Sequence, residues 1–174
     1  AWTVIPLFIV LTFAYLGAYS LGVTRRVDPN AMVINVKAQQ FTWTFEYPEY
    51  GIISKELHLP VDRQVLLKME SADVIHSFWV PEFRVKQDAL PGGEEFVRPL
   101  RVTPSEIGNY KLRCAELCGV QHTTMESDVI VTSMEEFDAW ISEQSGESPD
   151  PVVRGEKVAQ NFGCLACHSI DGAT

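Results

Sequence analysis

The chain has 174 residues, of which 46% are hydrophobic and 21% are charged, and its formal net charge is −9 at pH 7. Domains of about 100–150 residues are usual, so the length allows one main domain with a smaller segment at each end. The acidic balance argues against a nucleic acid partner, because phosphate binding needs clustered Lys and Arg. A basic protein partner fits this charge better.

Residues 1–23 contain no charged side chain and form the first predicted element. As a helix this segment would be about 34 Å long, enough to cross a hydrocarbon core of about 30 Å. The alternative is a secretory signal peptide, but the basic start and small-residue cleavage site typical of such peptides are not evident. We therefore predict a transmembrane helix in residues 1–26, with Pro6 in its first turns, where the missing N–H costs little.

Short alternating segments follow this helix. Residues 31–47 alternate apolar and polar side chains and are rich in Val, Phe, Trp and Thr, which is typical of strands. Segments of the same character, separated by Pro, Gly, Asp or Asn, are residues 55–60, 64–71, 74–80, 94–102, 109–114 and 127–133. This pattern predicts a mainly β chain, with a β-sandwich or Greek-key barrel over residues 27–143.

A short helix is predicted at the end of this domain. Ser133 resembles an N-cap followed by acidic residues, and Phe137 and Trp140 have helical spacing. Residues 144–153 combine Gly, Ser and Pro in the manner of a linker. Residues 154–174 then begin with a second helical pattern, which we interpret as the start of a small all-α domain.

Soft metal ligands are concentrated in residues 114–125. Two thiols, an imidazole and a thioether lie in this segment, and such a set favours copper over hard cations: Cys114, Cys118, His122 and Met125. Each thiolate could bridge two metals, and His76 in the strand-like segment 74–80 is the candidate for a second imidazole. The alternatives are a disulfide between the two Cys residues and a structural zinc site.

Cys164, Cys167 and His168 form a C-x-x-C-H motif, in which the thiols add to the haem vinyl groups and the imidazole ligates the iron. Before this motif, a linker is followed by a helical pattern, and that pattern is typical of the first helix of a small cytochrome c. A zinc site or a disulfide is the alternative. Because the chain begins with Ala and ends soon after the motif, we expect it to be a piece of a longer protein.

Three segments resemble cytochrome c oxidase subunit II. They are AWTVIP at residues 1–6, which is similar to the opening of the second membrane helix of that family, DVIHSFWVPEFRVKQDALPG at 73–92, and CAELCGVQHTTM at 114–125. The resemblance covers residues 1–143 and implies a cupredoxin-like sandwich with a dinuclear copper centre, Cu A. With the haem motif, the chain resembles the caa-type oxidases, which fuse a cytochrome c domain to this subunit.

The resemblance also implies the ligands. Copper would be bound by five side chains and by the backbone carbonyl of Glu116, the side chains being those of His76, Cys114, Cys118, His122 and Met125. The carboxylate of Glu116 would reach a magnesium ion at the boundary with the catalytic subunit. Asp73 is a candidate for ordering the His76 segment by hydrogen bonding.

Aromatic residues alternate along residues 41–47, and the resemblance implies that electrons enter near the copper from this strand. Phe41 stands where many relatives have the first tryptophan of the run, so Trp43 is the candidate for the point where electrons enter. The alternative is that these aromatics form one packed face of a sheet.

The function implied is that of an electron-transfer subunit of a haem-copper terminal oxidase. Tethered or soluble cytochrome c would reduce the copper centre, which would pass electrons to catalytic subunit I for oxygen reduction and proton pumping, so this chain would hold no catalytic oxygen site. Further membrane subunits are expected, with the soluble part on the periplasmic side of the plasma membrane, where c-type haem is attached. The alternatives are a Cu A-containing nitric oxide reductase and a membrane-tethered copper carrier.

Overall fold

The computed structural model describes residues 2–145 and the isolated positions 152, 155, 156 and 159. The chain divides into two compact units, one up to Ala31 and one from Met32 onward. The first unit contains helix α1, Val4–Thr24, in which no residue is buried. Its length and composition suit a membrane span. The predicted N-terminal apolar helix is therefore confirmed.

The second unit is mainly β. In the described part of the chain its strands are β1 (Met32–Gln39), β2 (Thr42–Tyr47), β3 (Ile52–Ser54), β4 (Leu57–Pro60), β5 (Val65–Ser71), β6 (His76–Val80), β7 (Val85–Ala89), β8 (Arg98–Val102), β9 (Gly108–Cys114) and β10 (Glu126–Thr132). Short 3₁₀ helices cover Pro81–Phe83, Glu94–Phe96 and His122–Thr124, and helix α2 covers Met134–Gln144.

These strands form two five-stranded sheets, with the orders β3-β2-β1-β5-β8 and β4-β10-β9-β6-β7. The pairs β1–β5 and β4–β10 are parallel, and the other described pairs are antiparallel. Parallel neighbours cannot be joined by a tight hairpin. Between β1 and β5, and again between β4 and β10, the chain passes through the other sheet. The predicted β-sandwich is confirmed.

The core lies between the two sheets. Burial alternates along β1, β2 and β5, as expected for strands with one face on the core. The large fully buried side chains of the core cluster are mainly aromatic and aliphatic, and one of them, Phe137, comes from α2: Trp43, Tyr47, Phe45, Phe78, Phe137, Met32, Ile34, Leu57, Leu59, Leu67, Met69 and Leu112.

Helix α2 begins with the predicted cap. The Ser133 side chain accepts a hydrogen bond from the Glu136 N–H at 3.2 Å, and the Glu136 carboxylate accepts one from the Ser133 N–H at 3.2 Å. This reciprocal capping box satisfies two backbone donors that a helix start would leave unpaired. The helix buries Phe137 and stacks the Trp140 ring on His58, with the ring centroids 4.0 Å apart.

Several local expectations were wrong or incomplete. Residues 31–47 form two antiparallel strands with a turn at Gln40 and Phe41, which the alternation did not indicate. Of the predicted strand 94–102, only Arg98–Val102 forms a strand. Glu94–Phe96 is a 3₁₀ turn, and Gly93 before it has a φ of 89°. Strands β3 and β7 were not predicted, because the first has three residues and the second is a polar edge strand without a clear alternation. The predicted linker and cytochrome c segment lie almost entirely outside the described residues.

Candidate metal centre

The predicted ligand residues meet at one end of the sandwich. His76 begins β6, and Cys114 ends the neighbouring strand β9, where Phe78 and Cys114 are paired across the two strands. The loop after Cys114 returns to β10, and the N–H of Cys114 donates to the carbonyl of Met125 at 3.0 Å. The N–H of Ala115 also donates to the carbonyl of Ser77 at 2.9 Å, which fixes the start of the loop against β6.

Each side-chain donor lies within 4 Å of a thiol sulfur. The sulfurs of Cys114 and Cys118 are 3.9 Å apart, and both residues are free thiols. The Cys114 sulfur is 3.9 Å from His76 Nδ1. The Cys118 sulfur is 3.7 Å from His122 Nδ1 and 3.8 Å from Met125 Sδ. Each thiol therefore has an imidazole nitrogen beside it.

These separations suit metal binding. A metal about 2.3 Å from each of two thiolates, at a near-tetrahedral angle, holds the sulfurs about 3.8 Å apart. A disulfide would need an S–S distance of about 2.05 Å, so the thiols do not form one here. Among the described residues, His76, Cys114 and Cys118 form a buried group whose ligand atoms lie within 4.8 Å of one another. The soft donor set favours copper.

His76 is oriented by Asp73. The His76 side chain is fully buried, and its Nε2 lies 2.8 Å from Asp73 Oδ1, which leaves Nδ1 facing the thiols. A metal-binding histidine usually makes such a hydrogen bond through its other ring nitrogen, which fixes the tautomer. Partial desolvation works against ionisation of Asp73, but hydrogen bonds from the Gln40 N–H, the His76 ring and the Val74 N–H lower its pKa to about 2. Asp73 is therefore a carboxylate at neutral pH.

Exposure differs among the other predicted ligands. Met125 is fully buried, and His122 is half-buried in its 3₁₀ turn. Burial raises the pKa of the Cys118 thiol to about 11, and the neighbouring Cys114 adds to this effect. A bound cation is needed to favour the thiolate at neutral pH, because a coordinating thiol is deprotonated by its metal.

Glu116 and Trp43 occupy contrasting positions. The carbonyl oxygen of Glu116 is 3.3 Å from the Cys114 sulfur, and its side chain is exposed. Trp43 is only 1% exposed, and its ring lies edge-on to His76, with the centroids 6.3 Å apart. A docked protein would therefore not touch this ring. The role of Trp43 in electron entry stays a prediction and would involve transfer through the core.

One residue of the site was missed. Gln40, in the turn between β1 and β2, donates its side-chain N–H to the Cys118 carbonyl at 2.5 Å and its backbone N–H to the Asp73 carboxylate at 2.7 Å. The partners are distant in sequence, so no local pattern indicates these contacts. The predicted haem residues Cys164, Cys167 and His168 lie outside the described residues.

The fold and this donor set together define a class. A two-sheet sandwich with two thiols, two imidazoles and a thioether at one end is a metal-binding domain of the cupredoxin type. The model of the family "Cytochrome C oxidase subunit II, periplasmic domain" matches residues 52–134. The chain belongs to the cytochrome c oxidase subunit II family, as its relatives also show.

The relatives match different shares of the chain. Cytochrome c oxidase subunit 2 of Bacillus sp. PS3 is 34% identical over 97% of this chain and 52% of its own length. That of Branchiostoma floridae is 30% identical over 80% of this chain and 69% of its own length. The crystal structure of the periplasmic domain of subunit II of the cytochrome oxidase of Bradyrhizobium japonicum has a TM-score of 0.61 and 27% identity, covering 68% of this chain and 96% of that one. The chain spans 36% to 53% of the length of the bacterial relatives.

Proposed function

We propose that this chain is the electron-accepting subunit of a haem-copper terminal oxidase, with a dinuclear copper centre bound at the end of its sandwich. The observation that carries this proposal is the pair of free thiols 3.9 Å apart, each with an imidazole nitrogen within 4 Å. Copper held by these two thiolates and two imidazoles would supply one-electron redox chemistry, and the closely spaced donors would need to move little on electron uptake. Family membership supports the copper assignment.

The protein holds the ligands in place before electrons arrive. His76 is fixed by Asp73 and by its position in β6, and Cys114 is fixed by its backbone bond to Met125. Ligands on paired strands move less than ligands on a free loop, which keeps the reorganisation on electron transfer small. In the same loop, the side chains of Leu117 and Val120 are 79% and 95% exposed. Both are exposed apolar side chains of the ligand loop, and we propose them as contact points for a redox partner.

The proposed ligands are the side chains of His76, Cys114, Cys118, His122 and Met125 and the carbonyl of Glu116. The short distance between that carbonyl and the Cys114 sulfur supports the last assignment. The exposed Glu116 carboxylate is proposed to reach magnesium at a subunit boundary, since hard cations take carboxylate oxygens. We propose a membrane helix in residues 1–26, a copper domain in 27–143, a linker in 144–153 and the start of a cytochrome c domain in 154–174.

A covalently attached haem c is proposed at Cys164, Cys167 and His168, on the strength of the C-x-x-C-H motif. The match to the Bacillus relative extends over 97% of the chain, so it takes in most of the segment after α2. Haem attached there would donate electrons to the copper centre, as would a soluble cytochrome c. Both haem attachment and the donor thiols suit the periplasmic side of the plasma membrane, with α1 as the anchor beside catalytic subunit I.

Two other functions are less well supported. A copper carrier would need ligands that exchange metal readily, but His76, Cys114, Cys118 and Met125 are buried. A nitric oxide reductase would use the same copper domain, and it differs in the acceptor of the electrons. The names of the relatives favour the oxidase.

The test is the visible and electron paramagnetic resonance spectrum of the full chain in detergent, loaded with copper. The variant with both Cys164→Ser and Cys167→Ser prevents haem attachment, so haem absorption does not cover the copper bands. We expect a purple protein with a seven-line hyperfine pattern, which reports one electron shared by two coppers. A four-line pattern, or a colourless protein that binds zinc instead, would remove the dinuclear centre. The Cys118→Ser variant is expected to lose the seven-line pattern.

A further inference from the structure

The turn between β1 and β2 is joined to both ligand segments through Gln40. Its side-chain Nε2 donates to the carbonyl of Cys118 at 2.5 Å. Its backbone N–H donates to one carboxylate oxygen of Asp73 at 2.7 Å, and the other oxygen of that carboxylate contacts His76 Nε2 at 2.8 Å. Gln40 therefore lies at the centre of a chain of hydrogen bonds from His76 to Cys118, two residues that belong to different segments of the fold.

The backbone after Cys118 is packed closely against the same turn. Gly119 has a φ of 141°, which L side chains rarely adopt. A Cβ at Gly119 would come within 2.9 Å of Gln40 Nε2 and 3.0 Å of the Phe41 ring. The absence of a side chain at Gly119 thus allows the turn to reach the Cys118 carbonyl directly.

A small movement of Cys118 would change several donor distances together. Its sulfur is within 4 Å of donor atoms of Cys114, His122 and Met125. The hydrogen bond from Gln40 fixes the peptide from which this side chain projects. On the other side, Asp73 fixes the tautomer of His76 so that Nδ1 faces the thiols.

We propose that Gln40 is a positioning residue for the metal centre, holding the Cys118 peptide with its side-chain amide and the Asp73–His76 pair with its backbone N–H. This inference deepens the proposed copper function and rests on it. Gln40 donates hydrogen bonds to the Cys118 carbonyl and to the Asp73 carboxylate, so it acts through groups that carry or orient the ligand side chains. Because Gln40 is exposed, its replacement is expected to change overall stability little.

The variant Gln40→Met tests the proposal, because it removes the amide donor and keeps the length of the side chain. The matched control is Gln39→Met, at an exposed neighbouring position at the end of β1. In the metal-free full chain, we expect hydrogen–deuterium exchange of residues 114–125 to be faster in Gln40→Met than in the parent. Gln39→Met is expected to match the parent. Equal exchange in all three chains would overturn the positioning role, whatever metal the protein binds.

The copper-loaded chains provide the second readout. We expect Gln40→Met to lose about 10- to 100-fold in copper affinity, measured by competition with a chelator, as is typical when a group that orients a ligand is removed. Its hyperfine pattern is expected to show two unequal coppers, and Gln39→Met to keep the parent pattern. Parental affinity and spectrum in Gln40→Met would overturn the inference. A parent without the seven-line pattern would instead overturn the proposed function, and the exchange experiment would still decide whether Gln40 holds the loop.

Discussion

At Met125, the donor atom offered to the metal can be removed with little effect on packing. Its side chain is fully buried, and its Sδ lies 3.8 Å from the Cys118 sulfur. A thioether is a weak ligand in electron-transfer copper sites, and the identity of this ligand tunes the reduction potential. Leu has nearly the same volume as Met but carries no donor atom, so the exchange separates ligation from packing.

We predict that Met125→Leu folds with a loss of less than about 1.5 kcal/mol in the free energy of unfolding. The reduction potential of the copper-loaded centre is expected to rise, because loss of a donor destabilises the oxidised state more than the reduced state. A redox titration followed by absorbance measures this change. The control is Met32→Leu. Met32 is equally buried but lies at the start of β1, whereas the Gln40 turn beside the site follows the opposite end of that strand. Equal potentials in the two variants would contradict the ligand role of Met125.

Part of the site could be predicted from residue types alone. The residues of the Cys114–Met125 loop are close in sequence, so their types and spacing indicate a soft metal site directly. His76 could be named from its residue type only as a candidate, because it reaches the loop through the pairing of β6 with β9, which no local pattern indicates. The contact between Gln40 and Cys118 spans 78 positions in the chain and joins the two sheets, so it has no local sequence signal.

At the scale of elements, α2 is attached to the sandwich through β4. The His58 ring is 9% exposed, stacks on Trp140 and lies 3.5 Å from the Glu56 carboxylate. The Tyr47 hydroxyl accepts a hydrogen bond from the His58 N–H at 2.7 Å and donates to the His58 carbonyl at 3.0 Å. Burial lowers the pKa of His58, and the Glu56 carboxylate opposes this shift in part. The helix therefore packs on a neutral imidazole.

This packing predicts a pH dependence of stability. Because the pKa of His58 is lower in the folded state than its unfolded value of about 6.5, the unfolded chain binds the proton first. Its contribution to stability is complete above about pH 6.5 and is lost as the pH falls from that value through the folded pKa. We expect the unfolding temperature of the metal-free chain to fall more steeply from pH 7.5 to 5 than that of His58→Gln. The other titrating groups are common to both chains, so parallel curves would contradict the prediction.

The elements themselves were predictable to different degrees. Strands with one buried face, such as β1 and β5, show the alternation that a single sheet face imposes. All four residues of β4 are buried although its sequence alternates, because α2 covers the side on which His58 would otherwise face solvent. Strand β7 is at a sheet edge and needs little apolar surface, which explains why its polar sequence gave no strand signal.

At the scale of the whole molecule, the order of the strands could not be derived from local patterns. Parallel pairing of β1 with β5 and of β4 with β10 depends on crossings between the sheets. Many short strands predict a sandwich but leave its strand order open, and the resemblance implied a cupredoxin-like fold without giving that order. The consequence for the site is that His76 and Cys114 become neighbours only when both strands are in place.

Metal binding should therefore be coupled to folding of the sandwich. The unfolded chain offers the thiols and His122 from one short segment, but it does not hold His76 beside them. A ligand present at 100 times its Kd, binding the folded state alone, stabilises that state by about 2.7 kcal/mol. For a chain of this size the corresponding rise in unfolding temperature is roughly 5–10 °C. We predict a shift of this order on copper loading and its reversal by a chelator, measured by circular dichroism.

Two variants assign this shift to the proposed centre. The pair Cys164→Ser and Cys167→Ser removes the C-terminal thiols and is expected to keep the shift, because it changes none of the proposed copper ligands. The pair Cys114→Ser and Cys118→Ser removes the two thiols proposed to bind copper and is expected to abolish it. His76→Asn is expected to reduce the shift although it leaves the 114–125 loop intact, since His76 is the proposed ligand that only folding brings to the loop. A full shift in His76→Asn would mean that copper binds the loop alone, and the coupling between metal binding and the sandwich would be wrong.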